Sequence, residues 1–121
     1  MGRKKKILIV EDEAIFATSM QRVLIKSGYD VCEPVSTGEE AVKRAKEEKP
    51  DLVLMDVILD GKIDGIEAAM DIRSRHDIPI VFISGCQEEK LLERAKSVGS
   101  SIYLTKPIKP QDLELAINQT L

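Results

Sequence analysis

Asp51-Leu52-Val53-Leu54-Met55-Asp56, which follows Pro50, is a short and nearly unbroken apolar run closed by a carboxylate. With proline before it and two Asp-Gly turn signals after it (Asp60-Gly61 and Asp64-Gly65), it reads as a strand buried on both faces. Such strands belong to parallel sheets, whose ligands collect beyond the strands' carboxyl ends. An Asp closing a strand can also do no more than begin the next turn. A second run decides between the two readings: Ile7-Leu8-Ile9-Val10 ends in Glu11-Asp12-Glu13. As parallel neighbours the two strands end about 4.8 Å apart, which brings Glu11, Asp12 and Asp56 into one pocket. Like charges at about 4 Å repel by roughly 4 kcal/mol at an effective dielectric constant of ~20. The cluster therefore needs a cation or a raised pKa to offset that repulsion. An all-oxygen donor set favours a hard divalent ion. Mg2+ suits a site that keeps waters and takes a further oxygen from a phosphate.

The 121 residues suffice for a single domain with a complete core. It is expected to fill 1–121 behind a basic tail at 1–5, with no output domain in this chain. Apolar residues at 43% and charged residues at 32% give a globular balance. A net charge of −3 argues against a nucleic-acid surface, and Arg3-Lys4-Lys5-Lys6 reads as a solvated tail. No apolar run approaches the ~18 residues of a membrane span, and no signal peptide is visible. Cys32 and Cys86 have neither metal-ligand spacing nor a disulfide framework. The expected setting is cytoplasmic with reduced thiols.

From the first run the chain alternates between strand and helix signals. A helix is expected over 13–27 with Phe16, Met20, Val23 and Leu24 as its core stripe, ended by Gly28. Residues 29–35 read as an edge strand, and Ser36/Glu39 or Thr37/Glu40 as capping boxes for a helix burying Ala41, Val42 and Ala45. Asp64 and Glu67 cap a third helix with Ile66, Ala69 and Met70 inward. Residues 79–84 form the fourth strand. Leu91, Ala95 and Val98 face in from the fourth helix, and 101–105 form the fifth strand. Pro110 opens a last helix whose inner face is Leu113, Ala116, Ile117 and Leu121. The pattern gives an α/β three-layer sandwich, a five-stranded parallel sheet of order 2-1-3-4-5 with five helices. In that order Ser84 at the end of strand 4 adjoins Asp56. Lys106 at the end of strand 5 lies about 10 Å off, a gap that only a long side chain covers.

These elements together resemble a response-regulator receiver domain of two-component signalling, with the flavodoxin-like fold of the chemotaxis receivers. The resemblance rests on Glu11-Asp12, Asp56, Ser84, Tyr103 and Lys106-Pro107, in order along the whole chain. It implies a signalling module, not an enzyme beyond its own phosphorylation and dephosphorylation. Asp56 would accept a phosphoryl group from a phosphohistidine on a sensor histidine kinase or phosphotransfer protein. Mg2+ would be held by Asp12, Asp56 and the carbonyl of Ile58, with waters ordered by Glu11. Lys106 would pair with Asp56 at rest and with a phosphoryl oxygen afterwards, behind a Lys106-Pro107 bond that is commonly cis in the family. Ser84 would bond another phosphoryl oxygen. Tyr103 reads either as a half-buried strand aromatic or as a switch that follows Ser84 inward. Ile58 and Cys86 would flank the phosphoryl group and tune its lifetime, and Ile15 would offer a kinase an exposed apolar contact. Met20, Met55 and Met70 read as core and His76 as surface.

Two departures from the family pattern stand out. Leu59-Asp60-Gly61 replaces Met-Pro after the acceptor, and the loop to Gly65 is one residue longer, with an added carboxylate. Ser100-Ser101 and an Arg-free last helix disfavour the symmetric helix 4–strand 5–helix 5 dimer. A stand-alone shuttle and a receiver cut from a larger protein both fit, with the output partner open. Two rival functions are weaker. A haloacid dehalogenase-type phosphohydrolase needs an acid where Ile58 stands, and a flavodoxin-like cofactor site needs stacking aromatics, which are 3% of the chain.

Overall fold

The computed structural model describes residues 4–85, 89–99 and 101–121. The apolar runs form strands and the amphipathic stretches between them form helices. In chain order these are β1 (Lys6–Val10), α1 (Ala14–Lys26), β2 (Asp30–Val31), α2 (Gly38–Glu48), β3 (Leu52–Asp56), α3 (Gly65–Arg75), β4 (Ile80–Ser84), α4 (Glu89–Ser97), β5 (Ser101–Thr105) and α5 (Pro110–Thr120). The strands lie parallel in the order β2-β1-β3-β4-β5, as expected. Each return therefore crosses through a helix, the connection that parallel strands require.

Alternation along the strands divides the core in two. Ile7 and Ile9, Leu52 and Leu54, and Val81 and Ile83 pack with α1 and α5 through Met20, Leu24, Leu113 and Ile117. Leu8 and Val10, Val53 and Met55, and Ile80 and Phe82 pack with α2, α3 and α4 through Ala41, Ala45, Ile66, Ile72 and Ala95. Burial on both faces explains why β3 and β4 read as continuous apolar runs.

Local signals place most helix ends. Gly28, at φ +96°, follows α1. Of the two candidate boxes before α2, Thr37 is the N-cap and accepts from the Glu40 N–H at 3.1 Å. Asp64 and Glu67 form a complete capping box at 2.8 and 3.1 Å. Among the described residues, α4 fully buries Ala95, with Leu91 and Val98 half-buried against the core.

Three expectations are corrected. β2 has two residues, not 29–35, because Pro34 has no N–H for the ladder; Val35 rejoins β1 only as an isolated bridge to Val10. Met70 is 49% exposed. The buried arc of α3 is centred on Gly65, Ala68, Ala69 and Ile72, and Met70 falls about 140° from that centre at ~100° per residue. Leu121 is 41% exposed, because it is the C-cap beyond the last turn of α5.

Met70→Lys is expected to shift the urea unfolding free energy by less than about 0.5 kcal/mol. Ile72→Ala, two residues on and fully buried, should cost about 2–4 kcal/mol. Comparable losses in the two variants would return Met70 to the core.

Candidate functional site

Strand alternation decides which charged groups meet. Glu11 continues the Ile7–Ile9 row, Asp56 the Leu52–Leu54 row, and Lys106 the Ile102–Leu104 row, all on the α1/α5 side. Backbone pairing runs past the strand ends: the Glu11 N–H donates to the Val35 carbonyl and the Lys106 N–H to the Ser84 carbonyl, each at 2.9 Å. One oxygen from each of Glu11, Asp12 and Asp56 lies within 4.8 Å of the others. Glu11 is 3% exposed and Asp56 6%, while Asp12 is half-buried.

Lys106 reaches all of this from the far edge of the sheet. Its Nζ stands 2.7 Å from Glu11 Oε1, 3.5 Å from Asp56 Oδ2 and 3.5 Å from Glu13 Oε1. It also lies 4.6 Å from the centre of the Phe16 ring, within cation–π range. The expected pairing with Asp56 is thus present, but the shorter bond goes to Glu11, whose longer side chain extends along the same face. The second oxygen of Glu11 accepts from the Glu13 N–H at 3.1 Å. Lys106-Pro107 is cis.

Charge in the pocket is uneven. Burial pushes the Asp56 carboxyl up to about 7; neighbouring Glu11 adds to the rise, and Lys106 and the Ile58 N–H oppose it. Burial also acts to raise Glu11, yet hydrogen bonds from Asp56, Lys106 and the Glu13 N–H hold it below the usual range. Asp12 is raised by burial, by Glu11 and by Asp60 in the lengthened loop. Burial acts against the Lys106 charge, but Glu11, Asp56 and Glu13 outweigh it and hold its pKa above the usual lysine value. Below about pH 7 the pair Glu11–Asp56 therefore shares one proton, which offsets part of the charge that a cation would neutralise. The buried, all-oxygen donor set fits a hard divalent ion.

The β3–α3 loop closes over the pocket. Ile58, exposed, donates its N–H to Asp56 Oδ1 at 3.3 Å. A Cβ on Gly65 would collide with the Asp56 carbonyl oxygen, so only glycine lets α3 begin there. Ser84 is buried at the end of β4, opposite Thr105 in register, and continues the Ile80–Phe82 row of the other core face. Tyr103 packs on that face, its ring 6.4 Å from Phe82 and tilted by 40°. Ile15, 89% exposed, sits in the first turn of α1. Cys86 lies outside the described residues. Sequence reasoning passed over Glu13 and Phe16 as site neighbours. The acidic triplet pointed to Glu13, whereas Phe16 looked like an ordinary core residue.

The family model for the response regulator receiver domain matches residues 7–118. The chain is 39% identical over 119 residues to the transcriptional regulatory protein PdtaR of Mycobacterium tuberculosis, covering 95% of this chain and 58% of that protein. It is 40% identical over 118 residues to the alkaline phosphatase synthesis transcriptional regulatory protein PhoP of Bacillus subtilis, covering 97% and 48%. It thus spans about half the length of these curated relatives. A solved receiver domain of a modulated diguanylate cyclase from Desulfovibrio desulfuricans superposes with a TM-score of 0.86 at 36% identity, covering 97% of this chain and 96% of that one. Among the described residues no helix is long and apolar enough to cross a membrane.

Because folding raises the Asp56 pKa from 3.8 to about 7, the folded state keeps a proton that the unfolded chain releases. The Asp56 contribution to metal-free stability is therefore fullest below its unfolded value and falls away as pH rises through about 7, whereas lowered Glu11 contributes with the opposite sign in the acid range. Asp56→Asn should flatten that fall and gain about 1–3 kcal/mol above neutrality, the Coulomb repulsion discounted for Lys106. Urea midpoints against pH with EDTA present test this. Parallel curves for the two proteins would refute it.

Proposed function

The chain belongs to the receiver domains of response regulators of two-component systems, and we propose that Asp56 is its phosphoacceptor. The observation that carries this reading is a nearly buried carboxylate at the end of the central strand, clustered with Glu11 and Asp12 and 3.5 Å from the Lys106 ammonium. Receiver domains generally bind Mg2+ at an acidic pocket. Here Asp12, Asp56 and the Ile58 carbonyl would hold the ion, with Glu11 in support.

Bound Mg2+ would supply positive charge against the carboxylates and the transferring phosphoryl group. Asp56 gives up its proton to water and one Oδ attacks phosphorus. The Oδ–P bond forms as the P–N bond to the donor histidine breaks, and the electron pair stays on the imidazole nitrogen. Lys106 is placed to move from carboxylate oxygen to phosphoryl oxygen. Its charge persists through the step because Glu11 still anchors it. Ser84 offers a hydroxyl from the adjacent strand, and its shift toward the phosphoryl group is read by Tyr103. Ile58 limits the approach of water, since its apolar side chain orients no attacking molecule as a carboxylate or amide would; Cys86, expected from the family pattern to share that role, lies outside the described residues.

The donor is a histidine kinase or phosphotransfer protein that docks beside the pocket, with Ile15 as its apolar contact. A cytoplasmic setting accords with that donor, and the output partner is a separate segment or protein. The relatives named above are transcriptional regulatory proteins, so control of transcription through such a segment is one output.

Incubation with acetyl phosphate and Mg2+ should add one phosphoryl group by intact mass, and EDTA or Asp56→Asn should abolish the gain. A gain that survives in Asp56→Asn would remove Asp56 as acceptor. Ile15→Glu should slow transfer from the cognate kinase by about tenfold, one charge placed in an apolar contact, and should spare acetyl phosphate. Equal loss with both donors would place the defect in the pocket.

A further inference from the structure

The lengthened loop that carries Ile58 and Asp60 is gripped by the first turn of α2. Glu39 Oε1 accepts both the Lys62 and the Ile63 N–H, each at 2.9 Å. The same backbone donors, Ile63 foremost, hold the Glu39 carboxyl below its usual range. Gly61 takes φ +103°, and a Cβ there would stand 2.7 Å from Glu39 Oε2. Gly38 gives Ile63 its room, since a Cβ on Gly38 would lie 2.7 Å from the Ile63 side chain. Thr37 and Asp60 form an isolated parallel bridge. All these contacts bear on residues 60–63, between the Ile58 end of the loop and the Asp64 cap of α3.

A loop with an added residue has more conformations to lose when its ends are held, and a carbonyl metal ligand must be held to a few tenths of an ångström. The loop has no helix or strand of its own to do this. We propose that Glu39 is a positioning residue for the metal and phosphoryl site, pinning the loop so that the Ile58 carbonyl is presented to the pocket formed by Asp12 and Asp56. The inference rests on the metal-dependent receiver reading above. Glu39 touches neither metal nor phosphoryl group. It acts through the backbone of Lys62 and Ile63.

The two roles of a glutamate, charge and hydrogen-bond acceptor, separate in the test. One oxygen accepts both N–H groups, so Glu39→Gln keeps the acceptor and loses the charge, whereas Glu39→Ala loses both. Calorimetric titration of the metal-free chain with Mg2+ gives affinity. Amide hydrogen exchange reports Lys62 and Ile63, with β4 amides as the control for an intact fold. Glu39→Ala should bind Mg2+ about tenfold more weakly, at the low end of the range for outer-shell partners. Its Lys62 and Ile63 amides should exchange faster while β4 is unchanged. Glu39→Gln should stay near wild type in both measurements. Wild-type affinity in Glu39→Ala would overturn the proposal. Equal weakening in Glu39→Gln would also overturn it, because charge and not position would then be at work. If wild type binds no Mg2+, or binds it no better than Asp12→Asn, the metal reading itself falls. Neither measurement involves phosphoryl transfer, so the identity of the acceptor is judged separately.

Discussion

One ammonium group faces three carboxylates at the carboxyl end of this sheet. Lys106 is bonded to Glu11 and lies near Asp56, while Asp12 completes the acidic set. With exposed Glu13 at the rim left aside, the pocket is two positive charges short of neutrality in formal charge, and burial makes that deficit expensive. Below about pH 7 the metal-free protein meets part of it with a proton shared by Glu11 and Asp56. A divalent cation would meet it in full. The sheet order, the strict parallelism and the length of the lysine side chain all serve this one balance. Lys106 spans from β5 toward β1 only because the intervening strands end at the same level.

Strand alternation also separates two tasks. Glu11, Asp56 and Lys106 continue rows on the α1/α5 side, whereas Ser84 and Tyr103 belong to the side covered by α2, α3 and α4. The charged groups are thus collected on one face of the sheet, and the Phe82–Tyr103 pair packs on the other. Ser84, at the end of β4 beside β3, is where the two faces come closest.

Much of this was legible before any coordinates. Three apolar runs became β1, β3 and β4 within a residue of the expected bounds, because burial on both faces leaves an unbroken apolar signature, and half-buried β5 at the sheet edge kept its expected bounds as well. The carboxylate cluster followed from two of those runs ending in acids. What escaped depends on contacts that leave no local trace. Glu39 reads as a capping residue, and its true donors are 23 and 24 positions away. Met70 fits a helical stripe drawn from Ile66, but the rotation of α3 is set by the small residues Gly65, Ala68 and Ala69 against the sheet. The preference of Lys106 for Glu11 over Asp56 is a matter of side-chain reach. The order of residues along the chain is blind to that.

The light packing of α4 has a consequence for signalling. Among the described residues it fully buries one side chain, where α3, of similar length, buries five residues. A covalent group on one carboxylate redistributes populations only between states that differ by as little free energy as its own differential contacts provide. An element anchored like α3 would be out of range of such a perturbation. Few buried contacts mark an element at the low end of a domain's local stabilities, and by that mark α4 would move at less cost than α3. A phosphoryl group on Asp56 would therefore find in α4, among the described helices, the element with the fewest buried residues to displace.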